Sequence, residues 1–237
     1  SGAVATAGRC RWAIGTSTVR PISLTVRLNL RSKSRDRRMP GVGAILLAAG
    51  ESSRMGQLKA LLPWRNTTLL EHQLRSLMDA GVQQVVVVVG HDADRLKPII
   101  ESVEGAGWTL NHDYLQGKTT SLKSGVAALA GEPISDVLLL NVDQPRNADT
   151  VRTLLERHQA SPFRITIPTH GGKGGHPILI AAELLPELAE IQEESQGLKA
   201  VVRRHADTTE RFEMDDPSVL WDLNTPEQYQ KALDAGL

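Results

Sequence analysis

The run Val42 to Ala49, VGAILLAA, carries no polar side chain. A strand with one face in water would alternate, so this run is expected to be buried on both faces, as in a parallel sheet covered by helices. It breaks at Gly50 into ESSRMGQ, a segment of small and polar residues, with Gly56 and Lys59 close behind. Glycine lets successive backbone N–H groups turn toward a ligand with no Cβ in the way, and such a turn makes an anion-binding concavity. Arg54 and Lys59 add two positive charges at short range, which suits a polyphosphate. A Gly/Ser segment alone is equally compatible with an ordinary surface loop. Two familiar phosphate loops are excluded by spacing. No Lys-Ser/Thr pair directly follows the second glycine, as a P-loop requires, and G-x-G-x-x-G is not present in this loop.

From Met39 onward strand and helix patterns alternate. Thr68 and Glu71 give a capping-box signal ahead of Leu69, Leu70, Leu74, Leu77 and Met78 at helical spacing, and Gly81 ends that helix. Gln84–Val89 and Asp136–Val142 are apolar enough for the sheet centre, with shorter strands expected at Trp108–Asn111, Arg164–Pro168, Pro177–Ala181, Thr209–Met214 and Val219–Asp222. Helices are expected after His91, over Ser121–Leu129, Asn147–His158, Ala182–Ile191 and Gly197–His205, and from Pro226 to near the end. The alternation predicts one Rossmann-like α/β domain over 39–237, a three-layer arrangement with a mostly parallel sheet between helices. With 41% apolar residues in 237 the chain can bury a sizeable core, and no apolar run approaches the length of about 18 that spans a membrane. The net charge of zero hides an asymmetry: residues 1–38 hold eight Arg and one Lys against Asp36, a net of +8, leaving −8 for the rest. That segment lacks the continuous apolar stretch of a secretory signal and reads as a disordered basic arm, solvated rather than bound to nucleic acid. The single cysteine, Cys10, rules out an intrachain disulfide framework and fits a reducing, cytoplasmic setting.

In an open parallel sheet, ligands sit beyond the carboxyl ends of the strands. The strand ending at Val142 delivers Asp143 there, beside the glycine loop. A carboxylate in that place is a natural Mg²⁺ ligand, since Mg²⁺ is held by one or two carboxylates together with substrate phosphates; the plainer alternative is a turn-starting Asp ahead of Pro145. Asn111 ends a strand, and Gly117, Thr119, Thr120 and Ser121 sit where a helix N-terminus would favour an anion. GGKGGHP, from Gly171 to Pro177, is too rich in glycine for a core element and suits a lid or a close backbone contact.

The string L-A-A-G-x-S-x-R-M-G-x-x-K from Leu47 to Lys59, followed by LLPW, resembles the signature loop of the molybdenum cofactor nucleotidyltransferases, nearest to their cytidylyltransferase branch. The resemblance runs almost to the C-terminus. It implies that Leu47, Ala48, Ala49, Gly50, Ser52, Ser53 and Gly56 wrap the nucleotide, that Arg54 and Lys59 hold phosphates, and that Asp143 binds Mg²⁺. It further implies that Asn111 and Ser121 contact the nucleotide or the incoming phosphate, and that Gly175, His176 and Pro177 lie near the pterin substrate. The implied reaction joins CMP from CTP to the phosphate of molybdopterin or its molybdenum-loaded form, with a molybdenum hydroxylase apoenzyme as a further partner and no membrane or nucleic acid. Ala49 stands where the guanylyltransferase branch usually has a second glycine, and Leu58 where it tends to place an acid, both of which favour CTP over GTP. One departure concerns the metal. Relatives of this branch often end in D-x-D-T-P-E-D, whereas this chain has Asp222-Leu-Asn224-Thr225-Pro226, so the second metal contact falls to Asp222 or to the neutral oxygen of Asn224. Three alternatives stay open: a guanylyltransferase of the same superfamily, a nucleotidyltransferase for sugar or polyol phosphates, and a non-catalytic factor that holds the finished cofactor.

Overall fold

A computed structural model describes residues 26–28, 41–51, 56–194 and 196–235. Ser52, Ser53, Arg54 and most of residues 1–38 therefore lie outside the described residues, and so do the expectations that fell on them. The strands are β1 (Val26–Leu28), β2 (Gly41–Ala48), β3 (Pro63–Trp64), β4 (Thr67–Thr68), β5 (Gln84–Val89), β6 (Ala106–Leu110), β7 (Ile134–Asn141), β8 (Ile165–His170), β9 (Lys173–Gly174), β10 (Ile178–Ala181) and β11 (Thr209–Glu213). Between and after them come the helices α1 (Leu69–Asp79), α2 (Ala93–Glu101), α3 (Lys118–Leu129), α4 (Ala148–Gln159), α5 (Leu185–Ala189), α6 (Leu198–Arg204) and α7 (Pro226–Asp234).

Among the described residues one nine-stranded sheet runs in the order β1-β6-β5-β2-β7-β10-β8-β11, with β9 paired to β8. β2 lies parallel to β5 and β7, β5 parallel to β6, and β8 parallel to β11. β10 is antiparallel to both β7 and β8, which makes the sheet mixed. The expected three layers are present, and β2 shows why an unbroken apolar strand is needed. Val42, Ala44, Leu46 and Ala48 face one core with Leu70, Leu74 and Leu77 of α1, Leu96 of α2 and Leu154 of α4. Ile45 faces the other core with Leu122 and Val126 of α3, Leu188 of α5 and Val201 of α6. A smaller cluster, built on Trp64, Leu62, Leu69 and Leu223, seats α7.

Local signals set the helix starts. The Thr68 hydroxyl accepts from Glu71 N at 3.2 Å to cap α1, while the Glu71 carboxylate turns to Thr67 and Arg75 instead of closing the box. Thr225 and Gln228 form a complete capping box on α7.

Three expectations change. α3 begins at Lys118, three residues before the expected start, with Gly117 as its cap. Val219–Asp222 is not a strand: Asp216 accepts from Ser218 N at 2.8 Å and Pro217 fixes the backbone, so a 3-10 turn forms over Pro217–Leu220. Val26–Leu28, inside the segment expected to be disordered, adds antiparallel to β6 at the sheet edge.

Candidate active site

The parallel strands β2, β5, β6 and β7 all end on the same side, and a cavity of about 340 Å³ opens there. Leu47 to Gly50 line one wall, and Lys59, Asp143, Ser121 and Asn224 belong to the rest. Lys59 opens a 3-10 turn over Lys59–Leu61 that is anchored by the buried Leu58 and Ala60 on either side of it. Its Nζ donates to Asp143 Oδ2 at 2.8 Å and to Asn224 Oδ1 at 2.9 Å. The Lys59 and Asp143 side chains are only 12% and 18% exposed, so their attraction is poorly screened by salt. Leu223 N donates to the Asp143 carbonyl at 2.8 Å, and this backbone bond holds the Asn224 segment against the end of β7.

Asp143 and Asn224 therefore present two hard oxygens at one cation, the Lys59 ammonium. Among the described residues no three His, Cys, Asp or Glu side chains form a metal cage. Mg²⁺ does not require one, because phosphates and waters complete its shell, and the oxygen set here fits that ion. Asp222 faces elsewhere: its Oδ1 accepts from Gln144 Nε2 at 2.6 Å.

Beneath these loops lies Arg146, which is fully buried. Its guanidinium donates to carbonyls, to His176 O and Val219 O at 2.8 Å, to Pro145 O at 2.6 Å and to Trp221 O at 3.4 Å. Burial lowers its pKa to about 10, against the opposing pull of Asp222, Asp216 and Asp143, so it stays cationic at neutral pH. Gln73, also buried, accepts from Arg146 N at 3.2 Å and donates to Gln144 O at 2.7 Å. One buried cation thus ties together the loops that carry Asp143, His176 and Asn224. Nothing in the local sequence marks Gln73, Gln144 or Arg146 for this, because each has polar neighbours in the chain that look no different.

The Gly-His-Pro segment sits next to this hub. A Cβ on Gly175 would lie 2.1 Å from the Val219 carbonyl oxygen, so no other residue fits there. His176 N donates to Val219 O at 2.9 Å. His176 and Gly175 line a second, larger cavity of about 860 Å³, which shares Leu47, Lys118 and Asn141 with the first. Pro177 is buried behind it.

Two expected nucleotide contacts look different in space. Asn111 does not line the first cavity. Its Nδ2 is spent on Thr120 Oγ1 and Ser121 Oγ, both at 2.9 Å, and its Oδ1 accepts from Asp113 N at 3.0 Å. It braces the loop from β6 into α3, and Ser121 alone of the pair reaches the cavity. Gly56 is exposed with φ of 64°, a left-handed backbone that favours glycine, and it too lies off the cavity wall.

The chain is similar to known proteins in sequence and fold. The family described as MobA-like NTP transferase domain matches residues 44–209. A relative from Paenarthrobacter nicotinovorans, nicotine blue oxidoreductase, is 31% identical over 207 residues, covering 84% of this chain and 99% of that protein. The molybdenum cofactor cytidylyltransferase of Escherichia coli (strain K12) is 26% identical over 192 residues, covering 81% of this chain and 95% of that one. Among solved structures, Rv0371c from Mycobacterium tuberculosis H37Rv superposes with a TM-score of 0.70 at 25% identity, covering 82% of this chain and 98% of that one. That protein has also been solved in complex with manganese.

Proposed function

The chain belongs to the MobA-like NTP transferase domain family, and from that premise we propose that it transfers CMP from CTP to the phosphate of molybdopterin or its molybdenum-loaded form, releasing pyrophosphate. The observation that carries this reading is the convergence of Lys59, Asp143 and Asn224 in a cavity that Leu47 to Gly50 also line. In the reaction an acceptor phosphate oxygen forms a bond to the α-phosphorus of the nucleotide, and the bond from that phosphorus to the pyrophosphate oxygen breaks. The nucleophile is already an anion, so no side chain has to remove a proton. What the protein supplies is position and charge. Lys59 neutralises charge that builds on the phosphates. Asp143, with the Asn224 oxygen beside it, would hold a divalent cation, which when bound offsets charge on the α-phosphate and the leaving group. The manganese complex of the mycobacterial relative supports a divalent ion in this fold.

The choice of CTP rests on the sequence pattern: Ala49, where a glycine is usual in the guanylyltransferase branch, is a cavity-lining residue whose methyl packs toward Gly90. An alanine in that place stiffens and fills the turn relative to a glycine, which we read as favouring a pyrimidine. A single methyl discriminates by about 10–200-fold, so CTP should exceed GTP by at least tenfold in kcat/KM. The test is pyrophosphate release from CTP, GTP and ATP with molybdopterin and Mg²⁺. Release that is fastest with GTP would move the assignment to the guanylyltransferase branch.

A second reading rests on the oxidoreductase name of the 31% identical relative and on Asn224 standing where an acid is common. In it, the same cavity holds a nucleotide that is not consumed. Saturable binding of CTP with no pyrophosphate release in the presence of molybdopterin and Mg²⁺ would favour this second reading.

A further inference from the structure

Gln144 settles which nitrogen of His176 carries the proton. Its Oε1 receives Asn141 N at 3.1 Å and Asn141 Nδ2 at 2.9 Å. A backbone N–H can only donate, so this end of the amide must be the oxygen. The other end is then the NH₂ group, and its two protons go to Asp222 Oδ1 at 2.6 Å and His176 Nδ1 at 3.0 Å. Reversing the amide would set a nitrogen against Asn141 N–H and an oxygen against the Asp222 carboxylate, two repulsive pairings in place of two bonds. Nδ1 of His176 is therefore an acceptor, and in a neutral imidazole the proton must sit on Nε2. That nitrogen has no hydrogen-bond partner among the described residues, nor is it among the sealed polar atoms. His176 lines the cavity of about 860 Å³, which is where Nε2 would meet a ligand.

The same cavity has an apolar floor that includes Leu139, Ile167 and Ile178, and it carries Lys118, Lys199 and Arg211. Among the described residues none of these three cations lies within salt-bridge distance of a carboxylate, although the Lys118 charge helps to lower the Glu193 pKa; of the two carboxylates in the cavity, Glu193 accepts from Thr119 N at 3.1 Å and Asp222 from Gln144 Nε2 at 2.6 Å. We propose that His176 is a specificity-determining donor, locked by Gln144 so that Nε2–H binds a lone pair, a carbonyl oxygen or ring nitrogen, on an anionic acceptor with an apolar body. A group bearing N–H at that point is rejected, because two donors would meet. Gln144, which lines the same cavity, acts here as a positioning residue: its amide sets the proton on the His176 ring. Burial, followed by the nearby Arg146, lowers the His176 pKa to about 4, which keeps the ring neutral and is consistent with this role. The ligand half of the proposal rests on the reading of the second cavity as the acceptor site; the tautomer does not.

Long-range ¹H–¹⁵N NMR of histidine-labelled protein at pH 7, without substrate, reads the tautomer directly. The His176 signals, assigned by their loss in His176→Gln, should show Nε2 protonated and Nδ1 bare. An Nδ1–H form, or a charged ring, would overturn the proposal whatever the enzyme's activity. The ligand half is read from acceptor KM. His176→Asn, which lacks a donor at the ε position, should raise it at least tenfold with KM for CTP unchanged. His176→Gln, which restores an N–H there, should recover most of the loss. Equal acceptor KM in all three proteins would overturn the donor role. Absence of any nucleotidyl transfer by the parent protein would instead count against the proposed reaction, and the tautomer measurement would still stand.

Discussion

Lys59 Nζ lies 2.8 Å from Asp143 Oδ2, although 84 residues separate the two in the chain. The pair exists because the turn after the glycine loop and the end of β7 open into one cavity. Each charge answers the other here, and each suits a different part of a nucleotide: the ammonium its phosphates, the carboxylate its cation.

Lys59→Ala should therefore lower turnover by about two to three orders of magnitude, the usual loss for one preorganised electrostatic contact. The fold should be kept, since Leu58 and Ala60 supply the buried anchors of that turn. Steady-state kinetics beside a thermal melt checks both halves. Activity within about threefold of the parent would remove the phosphate role.

Asp143→Asn keeps the shape of the side chain and removes its charge. Dependence of turnover on Mg²⁺ should disappear, while nucleotide binding without metal, followed by calorimetry, should stay close to that of the parent. A variant that responds to Mg²⁺ as the parent does would place the ion elsewhere.

Arg146→Met should be one of the most destabilising single changes in the domain. It strips the carbonyls of Pro145, His176 and Trp221 of a shared buried donor, while Val219 O keeps its bond from His176 N. Each orphaned acceptor costs about 1–3 kcal/mol, so urea denaturation should show a loss above about 3 kcal/mol. A loss below about 1 kcal/mol would mean that these loops hold their places without it.

Acid should weaken the fold before its carboxylates titrate. Burial lowers the pKa of His72 from 6.5 to about 4, with the Arg65 charge acting the same way, and His176 behaves alike. A histidine depressed in the folded state takes up its proton first in the unfolded chain. Its contribution is full above pH 6.5 and is lost progressively as the pH falls toward 4. The melting temperature should decline between pH 6.5 and 5, a window above the carboxylate range. His72→Gln should flatten part of that decline, and an unchanged slope in that variant would assign it to other groups.

Much of this site was legible because its signals are local. An unbroken apolar strand, a glycine break and a lysine nine residues after Gly50 lie in one stretch of chain, and the same logic placed Asp143 at the end of β7. Gln73, Gln144 and Arg146 were not legible, because their partners lie far away in sequence: Gln73 meets Gln144 across 71 residues and Arg146 meets Val219 across 73. The partners of Asn111 are not readable either, since a strand-end position says nothing about which hydroxyls, here Thr120 and Ser121, take up its amide. Val219–Asp222 shows a different limit. Its apolar composition suits a strand, but Asp216 and Pro217 start a tight turn that overrides it. The edge strand β1 pairs three residues and leaves no periodic pattern to read.

The central claim is that this cavity moves a nucleotidyl group, and a labelled phosphorus tests it most directly. With CTP carrying radioactive α-phosphorus, molybdopterin and Mg²⁺, the label should appear in a CMP adduct of the acceptor and none of it in pyrophosphate, with transfer lost in Lys59→Ala. Label that remains in intact CTP, under conditions where the nucleotide is shown to bind, would contradict the account and leave a protein that holds a nucleotide without transferring it.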